Sequence, residues 1–171
     1  MEDIKVIALL LTIFLPAGAG TLLIFFPKNW GSQIKWFSAV ISGITLAITL
    51  YIFSVYDYEK GGFQFEGSYN WLTQPININF SLGIDGISTA MLLLTGIVMF
   101  SGVLLTWNLE RRVKEFFILF MFLLSGVFGV FAVRDLFFLF FFYELAVLPM
   151  YPLIGIWGSS SDFGTFLRTK E

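Results

Sequence analysis

The chain has 171 residues, 57% hydrophobic and 13% charged, with a mean hydropathy of +0.84 and a formal net charge of −2. That composition excludes an ordinary soluble domain and points to an all-α polytopic membrane protein, because lipid admits only structures that satisfy their backbone polar groups internally. The absence of His and Cys excludes disulfides, nucleophilic Cys or His chemistry and the common metal sites, and the slightly acidic balance argues against a nucleic-acid partner.

Five apolar stretches follow, each near the ~20 residues a helix needs to cross the hydrocarbon core. The first covers about residues 4–26 and contains Pro16 and the small run Gly18-Ala19-Gly20. It follows Met1-Glu2-Asp3 with no basic region, so it reads as a spanning helix and not as a cleaved signal. The second covers about 36–55. A polar loop takes residues 56–85, with Phe63, Phe65, Tyr69 and Trp71 and then the alternating run Ile76-Asn77-Ile78-Asn79-Phe80. Alternation is compatible with a short strand or hairpin, but an ordered external connecting loop is the expectation. The third span is about 86–107, the fourth about 116–133 and the fifth 136–157, all in one membrane domain. Ser125, Gly126 and Gly129 on the fourth span have the spacing that lets helices approach closely. Only Arg134 and Asp135 separate the last two spans, which requires a tight helical hairpin. A local ion pair between these two residues is expected there.

Basic residues set the orientation. Lys28, Lys35, Arg111, Arg112, Lys114, Arg168 and Lys170 fall on one side, and only Lys5, Lys60 and Arg134 on the other. The first side is expected to be cytoplasmic or its equivalent (matrix or stroma), with the N-terminus outside. Trp30, Trp36, Trp107 and Trp157 then lie at the inner interface, and Tyr56 and Trp71 at the outer one, as an aromatic belt.

The fifth span holds one ionisable residue, Glu144. At ~1.5 Å per residue it lies roughly 12 Å from the Leu136 end, too deep for a Glu side chain to reach water. Its i−4, i−3 and i+4 neighbours are Phe140, Phe141 and Leu148, so its own helix offers no partner. An acid at such a depth is costly, and where one occurs it marks an ion or proton route. Pro149 and Pro152 lack the N–H groups that would satisfy the Leu145 and Leu148 carbonyls, so two backbone acceptors are freed near the acid. The combination suggests a protonatable site with local water. The competing interpretation is a structural carboxyl bonded to a neighbouring helix.

The run ending in Phe142-Tyr143-Glu144, followed by Leu148-Pro149-Met150-Tyr151-Pro152-Leu153-Ile154-Gly155-Ile156-Trp157-Gly158, resembles the antiporter-like membrane subunits of proton-pumping NADH:quinone oxidoreductase, respiratory complex I. The tail of that run is most similar to the M-type subunit, called chain 4 in mitochondria and plastids. Leu82-Gly83-Ile84-Asp85-Gly86-Ile87-Ser88 resembles the entry to that family's third helix, and Gly126-Val127-Phe128-Gly129-Val130-Phe131 its fourth. The first two spans match only in hydropathy. The resemblance implies that Glu144 belongs to a proton half-channel and pairs with a Lys on the seventh helix. It implies the other membrane subunits of complex I, and the lipid bilayer, as partners. The complex would use NADH or a related donor and a quinone, while this chain binds no cofactor. It also implies a bacterial inner, thylakoid or mitochondrial inner membrane. Family members have roughly fourteen spanning helices, each of ~20 residues. The chain is therefore expected to be an N-terminal piece that does not complete a proton path alone. A multi-subunit cation/proton antiporter or membrane-bound hydrogenase subunit, or a non-transporting structural fragment, remain alternatives.

Overall fold

A computed structural model describes residues 2–72 and 78–158. In chain order its elements are α1 (Glu2–Phe25), α2 (Gly31–Val55), β1 (Gln64–Leu72), β2 (Ile78–Ile84), α3 (Gly86–Leu105), α4 (Val113–Ala132) and α5 (Leu136–Trp157). All five helices are long and apolar enough to cross a membrane. Within a bilayer the helix is what such sequences must form, since each backbone group then finds its partner in the same segment. The tail residues Arg168 and Lys170 lie outside the described residues, as do Ile76 and Asn77 of the alternating run.

The helices extend past the apolar stretches where packing holds their polar ends. α2 begins at Gly31, not near Trp36, because Ile34 is fully buried and anchors a first turn that also carries Ser32, Gln33 and Lys35. α4 begins at Val113, not near Phe116. Its Lys114 ammonium donates to the Ile24 and Phe26 carbonyls, each at 2.7 Å. Those carbonyls belong to the end of α1, where backbone acceptors have no helical partner and a cation also favours the dipole.

α4 is the central helix. It packs against α1 and α5, and more lightly against α2 and α3, while α2 pairs with α3. The shared core includes Leu9, Ile13, Ile52, Leu92, Met99, Phe117, Met121 and Phe128, all fully buried. The small residues of α4 divide their work between two neighbours. Gly126 and Gly129 face α5: a Cβ at Gly126 would meet the Ala146 backbone nitrogen at 2.5 Å, and one at Gly129 would collide with the Phe142 ring. Ser125 faces α1 and donates to the Ile13 carbonyl at 2.7 Å. That contact falls beside the carbonyl of Thr12, which Pro16 leaves without its helical donor.

The polar loop differs from the expectation of a connecting loop: it contains a hairpin. β1 and β2 pair antiparallel, with Ser68 opposite Ser81 and Tyr69 opposite Phe80. The register shifts between Gln64 and Gly67, where Phe65 takes a left-handed backbone conformation (φ 59°). The hairpin forms because one of its faces caps the bundle. Phe65, Phe80, Leu82 and Ile84 are buried and join the helix core.

The hairpin is also tied to the short turn between α4 and α5. Leu82 bridges to Val133, and Arg134 N donates to the Ser81 carbonyl at 2.8 Å. The Arg134 side chain bonds Glu66 at 2.7 Å and lies over the Phe63 ring, 4.2 Å from its centroid. The expected Arg134–Asp135 ion pair is therefore replaced. Asp135 is used instead as the N-cap of α5, accepting from Phe137 N at 2.9 Å and Phe138 N at 3.3 Å. An N-cap carboxylate is better placed on those free N–H groups than on its sequence neighbour.

Candidate proton site

Glu144 stands on the ninth residue of α5. Phe138, Phe142 and Pro149 are the buried positions of this helix and mark its inward face. Glu144 points the other way. It is exposed on the outside of the bundle, together with Phe140, Phe141, Leu148 and Tyr151, which are themselves 53–85% exposed. Among the described residues no side chain pairs with Glu144. Its interior location, then, is a matter of depth along the span and not of enclosure by this chain.

Both prolines lie within a continuous helix. Pro149 is buried, and Pro152 is half-buried on the next turn. Among the described residues no side-chain donor reaches the Leu145 or Leu148 carbonyl. The open face of α5 thus presents one carboxyl and, about a turn away, the Leu148 carbonyl freed by half-buried Pro152, while the Leu145 carbonyl is freed on the side where Pro149 packs inward. Chemically it can hold a proton, accept hydrogen bonds from water and meet a cation. Among the described residues no group of three carboxylates could hold a metal ion.

A second polar site governs the junction between the hairpin and α3. Asp85 caps α3, its carboxylate accepting from Ser88 N at 2.7 Å. That backbone bond chiefly holds the Asp85 carboxyl below its ordinary range, with burial opposing it. Tyr56 sits over Gly86 and donates to the Gly62 carbonyl at 2.9 Å. Burial pushes the Tyr56 hydroxyl upward, and the Asp85 charge adds to that. The motif Gly83-Ile84-Asp85-Gly86-Ile87-Ser88 is therefore a helix start, and Asp85 is spent on the backbone.

The two ends of the bundle differ in charge. Trp157 Nε1 donates to the Arg111 carbonyl at 2.9 Å, Trp36 and Trp107 meet edge to face at 5.1 Å, and Lys28 lies 3.9 Å from Glu115. The α1–α2 turn, the α3–α4 loop and the end of α5 thus share one surface. Lys5, over the Phe65 ring, and Arg134 lie at the opposite surface with the hairpin.

The fold and this site define a class: a polytopic helical membrane protein whose one mid-span acid sits on an unpartnered helix face beside broken backbone hydrogen bonding. Within that class the chain is homologous to chain 4 of NAD(P)H-quinone oxidoreductase. It is 35% identical to the chloroplastic chain 4 of Mesostigma viride over 147 residues, which are 85% of this chain and 29% of that protein. It is 36% identical to chain 4 of Acaryochloris marina over 149 residues, 85% of this chain and 28% of the relative. The chloroplastic chain 4 of Angiopteris evecta is 36% identical over 151 residues, covering 88% and 30%. The chain thus spans under a third of the length of these relatives. No protein-family model matches it.

Proposed function

We propose that this chain forms part of a proton-translocating membrane subunit of an NAD(P)H:quinone oxidoreductase, with Glu144 as a proton-carrying group. The observation that carries the proposal is the position of Glu144: mid-span, on the open face of α5, without a partner among the described residues. The similarity to chain 4 proteins supports the assignment to the complex. In hydrocarbon a carboxyl is stable as the neutral acid, and it releases its proton only where water or a cation stabilises the charge. The open face leaves room for both. Pro152, half-buried a turn or two along, leaves the Leu148 carbonyl as an acceptor that can order water near the acid. The cation comes from outside these residues, and its approach or withdrawal would load or unload Glu144. The donor, the quinone and the redox groups belong to the other subunits, which are this chain's partners. The surface bearing Lys28, Lys35, Arg111, Arg112 and Lys114 faces the cytoplasm or its equivalent, and the hairpin lies outside.

The test is Glu144→Gln in the intact complex. The amide keeps shape and polarity but cannot ionise. Quinone-coupled proton pumping in membrane vesicles should fall about a hundredfold or more, the lower end of what loss of a positioned proton-transfer group costs. Electron transfer from NADH to an artificial acceptor upstream should survive, and Glu144→Asp should be milder. A normally assembled Glu144→Gln complex that pumps at the wild-type rate would reduce Glu144 to a structural carboxyl.

A further inference from the structure

We propose that the groove between α2 and α3, at the basic end of the bundle, is a binding site for one acyl chain of an anionic membrane phospholipid. The groove is lined by Trp36, Ala39 and Val40 of α2, by Phe100 and Leu104 of α3 and by Trp107 beyond it, and encloses about 360 Å³. Its lining is apolar throughout. Phe100 forms the floor, lying across Gly43, where a Cβ would just touch the ring at 3.6 Å. The Trp36 and Trp107 rings close the upper end in an edge-to-face pair. Indole rings prefer the level of the glycerol and headgroups. The lining residues span only one to two turns of each helix, roughly 10 Å. That length suits the first methylenes of an acyl chain and is far short of the ~30 Å along which a neighbouring spanning helix would pack.

Charge selects the headgroup. On this surface Lys28 is engaged with Glu115, and Lys114 with the end of α1. Lys35, Arg111 and Arg112 have no side-chain partner among the described residues. Lys35 immediately precedes Trp36, and Arg111 follows Trp107 by four residues, its carbonyl held by Trp157. An anionic headgroup above the two indoles thus meets a surface on which Lys35, next to Trp36, and Arg111 and Arg112, in the loop that follows Trp107, have no ion-pair partner among the described residues, with Glu110 and Glu115 the acids of that loop and the start of α4. The site also lies away from Glu144: α5 packs on α4, while α2 and α3 pair on another part of the bundle.

The test uses the intact protein in phosphatidylcholine nanodiscs doped, at equal mole fraction, with phosphatidylglycerol or phosphatidylcholine carrying a diazirine near the start of one acyl chain. After illumination, labelled peptides are mapped by mass spectrometry. Labelling at Ala39, Val40 and Leu104 should be about fivefold higher with the anionic probe, the preference that roughly one juxtamembrane cation confers. Lys35→Gln combined with Arg111→Gln should bring the two probes level, while Lys35→Arg should retain the preference. Both substitutions are at the membrane surface, and the ratio of the probes is independent of yield. Equal labelling by the two probes in the wild type would mean unselective annular lipid and overturn the proposal. Labelling absent from the groove would mean that protein covers it, and would overturn it equally.

Discussion

Asp85 and Glu144 are both acids in recognisable motifs, and they do opposite things. Asp85 spends its charge on the Ser88 amide at 2.7 Å, and that bond lowers its proton affinity in the folded state. A lowered carboxyl stabilises the fold fully above the ordinary value of ~3.9 and ceases to do so as pH falls through the folded one. Asp85→Ala should therefore cost about 1 kcal/mol at neutral pH, the usual value of an N-cap. The difference in thermal midpoint from wild type, measured in detergent, should shrink as the sample is taken below about pH 4. A difference independent of pH would assign the loss to packing. Glu144 was legible in the sequence because depth along an apolar run can be counted. Its outward orientation was not, since that depends on which face of α5 the glycines of α4 select. The partner of Arg134 is not readable from sequence for a related reason: Glu66 is 68 positions away, while the acid next to Arg134 is taken by the helix cap.

At the scale of elements, the contact between α4 and α5 depends on two missing side chains. Gly126 meets backbone and Gly129 meets an aromatic ring, so neither has room for a methyl group. Gly129→Ala should destabilise the bundle by about 1–3 kcal/mol, as overpacking does. Gly18→Ala on α1 meets nothing within 4 Å and should leave stability equal or raise it by up to about 1 kcal/mol. Denaturation in mixed micelles compares the two. Equal stability of both variants would show that α5 can slide past the clash. Periodicity made the helices readable, and the spacing of Ser125, Gly126 and Gly129 suggested close packing. Which neighbour each one meets was hidden, because consecutive residues on a helix point about 100° apart. The hairpin is half readable: the alternation at Ile78-Asn79-Phe80 belongs to β2, while β1 carries no such signal. β1 carries Gly67 and a register shift on each side of its paired middle, so the period-two pattern is broken within the strand.

For the whole molecule, the segregation of basic residues is readable from sequence, and the Trp157–Arg111 and Lys114–α1 contacts bring the same residues to one surface. A reporter fused after Arg112 should read cytoplasmic, and one inserted near Glu66 external. The reverse pattern would invert the proposed orientation.

Only Val133, Arg134 and Asp135 lie between α4 and α5. Such a turn leaves no slack for one helix to wait at the surface while the other enters the bilayer. The two must therefore partition from the insertion machinery as one body. α5 bears an acid near its middle, where a charged residue costs about 3 kcal/mol on insertion scales, and two prolines besides. α4 bears no charge after Glu115 and can carry its neighbour in. In a translocation assay α5 alone should insert poorly, the α4–α5 pair efficiently, and a long polar spacer placed at Arg134 should return α5 to its solitary efficiency. If α5 integrates equally well in all three contexts, the brevity of the turn has no bearing on biogenesis.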